Sequence, residues 1–231
     1  MPARRLTARR KARRTQKLFV FDEPYRLQYG VIAGVDEVGC GPLAGPVVAA
    51  AVILSHPCKL PRLNDSKLLS SEEREHLYPI IESSAVAVGV GIVEADEIDR
   101  INIRQAGFAA MRIALSRLAV HPNHVLIDGF RLPSGPPSQT HIVGGDALSA
   151  HIAAASVMAK VTRDRLMLAL HDQYPQYGFH EHKGYCTRAH LEALKKFGPC
   201  PIHRLSYAPV NNSRRHVSKK HDDATPEAIL R

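Results

Sequence analysis

Gly34-Val35-Asp36-Glu37-Val38-Gly39-Cys40-Gly41-Pro42 sets two adjacent carboxylates where an apolar run ends and a glycine-rich turn begins. The residues just before, Val31-Ile32-Ala33, read as the start of a buried strand. Two like charges at the end of a buried strand are costly to desolvate unless positive charge offsets them. A divalent cation, which favours oxygen ligands, is the most economical counter-charge. The glycines that follow let a ligand or a second stretch of backbone approach closely.

Outward from that stretch, residues 31–38 and the run Val47 to Leu54 read as an antiparallel pair at the heart of a sheet. Asn64-Asp65-Ser66-Lys67 is polar and turn-like. Ser70 or Ser71 caps a helix running to about Ser83, with Glu72, Glu73 and Glu75 in its first turn. Ala85 to Val93 reads as a third strand. Asp96 to Leu118 reads as one long helix with an apolar stripe through Ile101, Phe108, Met111, Leu115 and Leu118. His124 to Asp128 is a fourth strand, and Thr140 to Val143 a fifth that ends at Gly144-Gly145-Asp146. Ala147 to His171 is a second long helix, crowded with small residues that let it lie close to a sheet. A short helix follows near Thr187–Lys196. Strands alternating with helices imply an α/β fold, a mixed sheet with helices on its faces.

The chain has 231 residues, 45% of them hydrophobic, and a formal net charge of +9. Eight of its 31 basic residues fall within positions 1–17, where no acid occurs, leaving 23 basic against 22 acidic elsewhere. The charge therefore belongs to a tail, read as disordered over 1–27. It serves either as a sequence-independent grip on phosphates or as a solubilising extension. An organelle transit segment is a third reading, weakened by the scarcity of serine. Residues 211–231 also read as a disordered tail. No run has the length of a membrane-spanning helix. Cys40, Cys58, Cys186 and Cys200 lie far apart and match no standard zinc-finger spacing, so they are expected as reduced thiols in a cytoplasmic protein.

Acids recur where strands end: Asp36 and Glu37 after the first, Asp128 in Leu126-Ile127-Asp128-Gly129, Asp146 in Gly144-Gly145-Asp146. Asp128 alone suits a plain turn and Asp146 alone a helix cap. If these strand ends converge, the four carboxylates meet in one pocket, which is tolerable only around cations and suggests two-metal chemistry on a phosphodiester. Gly39, Gly41 and Gly45 do not make a nucleotide loop, because Pro46 follows where Lys-Ser/Thr is needed.

Over residues 28–210 the chain resembles the type 2 ribonucleases H. The family's Asp-Glu-x-Gly-Arg-Gly-Pro appears as Asp36-Glu37-Val38-Gly39-Cys40-Gly41-Pro42. Further matches are Leu63-Asn64-Asp65-Ser66-Lys67, Leu126-Ile127-Asp128-Gly129, Gly145-Asp146, Ala153 to Asp164, Gln176-Tyr177-Gly178-Phe179, His182-Lys183-Gly184-Tyr185 and His203-Arg204 with Ser206-Tyr207. The resemblance implies a ribonuclease H-like fold, a five-stranded mixed sheet flanked by helices with a C-terminal helical segment. It implies a monomeric, metal-dependent endonuclease acting on the RNA strand of RNA–DNA hybrids and on ribonucleotides embedded in duplex DNA. It further implies Asp36, Glu37 and Asp128 as ligands of Mg2+ or Mn2+, with Asp146 as a fourth catalytic carboxylate. Gly39, Cys40, Gly41, Lys67, Lys183 and Tyr185 form the implied substrate-binding set, Gly39 and Gly41 through backbone donors to the 2′-hydroxyl and Tyr185 against the sugar. Lys67, Lys160, Lys183 and Arg204 are candidate phosphate contacts. Asp164 reads as an ion-pair partner rather than a ligand.

Cys40 stands where the family has arginine, and Leu205 where it often has a basic residue. A thiol cannot donate charge-assisted hydrogen bonds to phosphate as arginine does. Two other readings stay open from the residues: a nuclease of the same broad fold that cuts all-DNA junctions, and a nucleic-acid-binding protein without catalysis.

Overall fold

The computed structural model describes residues 8–58 and 60–213. Its first element is a helix, α1 (Ala8–Tyr29), where the sequence reading placed a disordered tail. Leu18, Phe21, Tyr25 and Tyr29 recur at helical spacing, and that stripe explains the difference. Leu18 is buried in the main core, while Phe21, Tyr25 and Tyr29 pack around Ile32, Leu126, Ile142 and Ile152. The Tyr29 ring stacks on His124 with centroids 4.0 Å apart. The basic residues dominate the composition of this segment, yet its apolar stripe decides its structure. Residues 1–7, and positions 214–231 of the expected C-terminal tail, lie outside the described residues; 211–213 are helical.

β1 (Ile32–Val38) and β2 (Val47–Leu54) pair antiparallel, with Asp36 opposite Ala50. α2 (Ser71–Ser84) opens on a capping box: the Ser70 hydroxyl accepts from the Glu73 backbone N–H and the Glu73 carboxylate accepts from that of Ser70. β3 (Ala85–Val93) pairs antiparallel with β2. The single helix expected over 96–118 is two, α3 (Ala95–Ile101) and α4 (Ile103–Ser116). The break is Asn102, at φ 68°, whose side-chain oxygen accepts from the N–H groups of Arg104 and Gln105 at 3.1 Å and so caps α4.

β4 (His124–Asp128) and β5 (Gln139–Ile142) complete a sheet of order β3-β2-β1-β4-β5, in which β1, β4 and β5 run parallel. α5 (Ala150–Gln173) starts three residues later than the sequence suggested. A single 3-10 turn, Gly145–Ala147, precedes it, and Ser149 rather than Asp146 caps it. That frees the Asp146 carboxylate for other work.

One face of the sheet packs Val48, Ala50 and Val52 against the small residues of α5. The close approach is literal at Gly34, where an added Cβ would collide with the backbone of His151 and Ile152. The other face packs Val35, Ala49 and Ile127 against Ala106, Ala110 and Ala114 of α4. A separate cluster, built on Leu43, Met167, Tyr177, Phe179 and Leu194, joins the short α6 (Phe179–His182) and α7 (Arg188–Phe197) to the rest. Among the described residues, no helix is long and apolar enough to cross a membrane.

Candidate active site

Parallel pairing of β1 with β4 sets the site. Val35 lies opposite Ile127, so Asp36 and Asp128 are the next residues on adjacent strands, at their carboxyl ends. Side chains alternate along a strand. Val35 and Ile127 face α4, and Asp36 therefore faces α5, on the side of the Ser156 hydroxyl. Glu37 points to the α4 side, toward Gly107. A cleft of about 410 Å3 opens there, lined by Glu37, Cys40, Arg104, Phe108, Asp128 and Phe130. Asp146 joins from the turn after β5. The Gly145 N–H, one residue before it, donates to Asp128 Oδ1 at 2.6 Å and ties the two acids together.

The electrostatics are those of a site short of positive charge. Burial, and then repulsion from Glu37, Asp128 and Asp146, hold the Asp36 carboxyl well above its ordinary range. Burial and Asp128 push Glu37 up, and burial and Asp146 push Asp128 up. Lys67 Nζ donates to Asp146 Oδ2 at 2.9 Å, and that bond raises the lysine's own pKa. Partial enclosure by the surrounding protein, and then the Glu37 carboxylate, push the Cys40 thiol up to about 11, although the residue as a whole is exposed. The donors that meet here are mostly carboxylate oxygens, a hard set that suits magnesium or manganese. Among the described residues no three such side chains stand close enough to enclose an ion.

The turn at 39–46 is held from behind by two wholly buried arginines. Arg204 donates to the carbonyls of Gly39, Cys40 and Gly45. Arg163 donates to those of Ala44, Pro46 and Lys183. Gly39, at φ 95°, leaves room for Arg163; a Cβ there would strike its guanidinium. Arg204 is therefore a scaffold for the turn, and its expected contact with phosphate is withdrawn: its donors are spent on backbone. Lys160 is likewise committed, donating to Asp164 at 2.7 Å. Asp164 is an ion-pair residue as expected, although its partners are Lys160 and Arg74.

Tyr185 lies beside Gly41 and is 40% exposed, with Arg163 at 5.8 Å from its ring centre. Lys183, at φ 50°, bends its amine back to the His180 carbonyl. Sequence reasoning missed the device behind Tyr185. The Cys200 N–H donates to His203 Nδ1 at 3.0 Å, His203 Nε2 meets His190 Nε2 at 3.0 Å, and His190 Nδ1 meets the Tyr185 carbonyl at 2.9 Å. The chain is self-consistent with both rings neutral, each giving one proton and accepting one. Burial pushes both imidazoles down to about 4. The only signal in the sequence was a histidine on each side of a glycine-proline turn, at positions 190 and 203.

The family model for Ribonuclease HII matches residues 33–210. Ribonuclease HII of Bacillus licheniformis is 53% identical over 196 residues, which is 84% of this chain and 76% of that protein. Ribonuclease HII of Endomicrobium trichonymphae is 53% identical over 197 residues, 84% of this chain and 94% of that one. Among solved structures, ribonuclease H2 from Pyrococcus horikoshii OT3 matches with a TM-score of 0.70 at 25% identity, covering 82% of this chain and 99% of that one. Bst-RNase HIII in complex with Mn2+ matches with a TM-score of 0.69, covering 94% of this chain and 77% of that one; at 17% identity the likeness is one of fold.

Proposed function

The chain belongs to the ribonuclease HII family and is a metal-dependent ribonuclease, and on that premise we propose that it hydrolyses the RNA strand of RNA–DNA hybrids and cuts 5′ of ribonucleotides embedded in duplex DNA, leaving a 3′-hydroxyl and a 5′-phosphate. The observation that carries this reading is the meeting of Asp36, Glu37 and Asp128, at the carboxyl ends of β1 and β4, with Asp146 from the turn after β5, each of the first three raised by burial and by other acids of the group.

Asp36, Glu37 and Asp128 are the residues that would hold magnesium or manganese, which when bound would supply a lowered pKa for the attacking water and positive charge for the leaving 3′ oxygen. Asp146 completes the carboxylate group, and Lys67 offsets its charge. Gly39 and Gly41 present backbone N–H groups to the 2′-hydroxyl, the group by which a protein tells RNA from DNA. Tyr185 packs on the adjoining sugar, held in place by the His190–His203 pair. Lys67 and Lys183 meet phosphates once the duplex displaces their present contacts.

Substitution of the acids tests this assignment. Asp36→Asn, Glu37→Gln and Asp128→Asn each reduce cleavage of a ribonucleotide-containing duplex at least about 100-fold, the loss of roughly 3 kcal/mol of transition-state stabilisation. Asp128→Asn keeps the acceptor for the Gly145 N–H and relieves repulsion, so its metal-free melting temperature is no lower than wild type, while the rise in melting temperature on adding Mn2+ shrinks. An Asp128→Asn protein that cuts at the wild-type rate would overturn the assignment.

A further inference from the structure

α1 lies outside the span matched by the family model, which begins at residue 33. It is nevertheless fixed to the catalytic domain at three points. Leu18 is 1% exposed, the Thr15 hydroxyl donates to the Leu63 carbonyl at 3.0 Å, and Asp22 Oδ2 accepts from the backbone N–H and Nδ1 of His151 at 3.0 and 2.7 Å. A helix held so firmly presents its exposed side chains in a defined direction.

Those side chains are basic. From Ala8 to Phe21 the helix contains no acid. Arg13, Arg14 and Lys17 line an open cleft of about 550 Å3 whose opposite wall is Ala147 and Leu148, the two residues that directly follow Asp146. Among the described residues, none of the three pairs with an acid. The rest of the chain is nearly neutral and its catalytic cluster is anionic, so this strip is the chain's main concentration of positive charge beside the cleavage site.

We propose that α1 is a clamp for the nucleic-acid backbone: Arg13, Arg14 and Lys17 bind phosphates of the duplex on the Asp146 side of the cleavage site. The inference rests on the proposed function for its ligand, a nucleic-acid duplex. It adds a binding site on an element outside the matched span. An anionic catalytic cluster repels the phosphates it must approach, and a cationic strip next to it offsets that repulsion. Contacts of this kind are blind to sequence and sugar, and they release counterions on binding.

The test is binding of a short labelled all-DNA duplex, followed by fluorescence anisotropy from about 50 to 200 mM KCl. The full chain is compared with a triple variant, Arg13→Gln, Arg14→Gln and Lys17→Gln, and with a charge-keeping one, Arg13→Lys and Arg14→Lys. Three lost phosphate contacts reduce the slope of log K against log salt by about 2 to 3 and weaken binding at least about 10-fold at the low-salt end. The charge-keeping variant retains the slope. An unchanged slope in the triple variant overturns the clamp, and so does an equal loss in the charge-keeping variant, which would mark the residues as structural. The probe is not cut, so this reading stands apart from the cleavage reaction. A wild type that binds it with a steep slope yet cuts no ribonucleotide substrate would refute the proposed function alone.

Discussion

Cys40 sits at the mouth of the site with its Sγ 3.9 Å from Glu37 Oε1. Its backbone carbonyl is already held by Arg204 Nη1 and by the Tyr207 hydroxyl. A new side chain there changes what reaches the substrate without loosening the turn. The position is exposed, so an arginine fits and can donate to a phosphate or sugar, where the protonated thiol cannot. A charge-assisted hydrogen bond of this kind contributes roughly 1.5–3 kcal/mol. Cys40→Arg should therefore raise kcat/KM on a duplex carrying a single ribonucleotide about 10-fold or more, read in steady-state kinetics. Unchanged or poorer kinetics would mean that the substrate does not use this position.

At the scale of elements, the turn between β1 and β2 takes its shape from the C-terminal part of the chain. Besides the two arginines, the Leu43 N–H donates to the Gly184 carbonyl and the Gly45 N–H to that of Ile202. Arg204→Lys keeps the charge but loses the planar fork that serves three carbonyls, leaving buried acceptors unpaired. A loss of about 2–3 kcal/mol in unfolding free energy is expected from urea denaturation, and an unchanged midpoint would show that the fork is dispensable. The same residue marks a limit of sequence reading. His203-Arg204 stands in a motif, and a motif cannot say whether a guanidinium faces solvent or backbone. The carbonyls that hold this guanidinium belong to Gly39, Cys40 and Gly45, far away in sequence. Asn102 is a similar case: the apolar stripe of 96–118 runs straight through it, and only its left-handed backbone divides the helix. α1 was hidden by its own charge. By contrast the five strands were legible, because β1 to β4 are each built on a short apolar run bounded by polar residues, glycine or proline, and β5 ends near Gly144-Gly145. The four carboxylates were legible as a group for the same reason, each standing where a strand stops. The histidine pair behind Tyr185 was not, since nothing local pairs position 190 with 203.

For the molecule as a whole, charge is arranged by position rather than by amount. The four acids gather at the ends of β1, β4 and β5, the basic α1 packs on the same domain, and positions 18–231 carry 23 basic against 22 acidic residues. Such an arrangement suits a protein that grips a polyanion at one place and works on it with cations at another. The proposed discrimination rests on the backbone of Gly39 and Gly41 and on Tyr185, which lies beside Gly41. This discrimination is expected to decide where the cut falls. The decisive measurement incubates the protein, with Mg2+ or Mn2+, with three labelled substrates: a DNA duplex containing one ribonucleotide, the same duplex in all-DNA form, and a long RNA–DNA hybrid. Cleavage is expected 5′ of the lone ribonucleotide and along the RNA strand of the hybrid, with the all-DNA duplex intact. Cleavage of the all-DNA duplex, or no cleavage of any substrate in either metal, would contradict this reading.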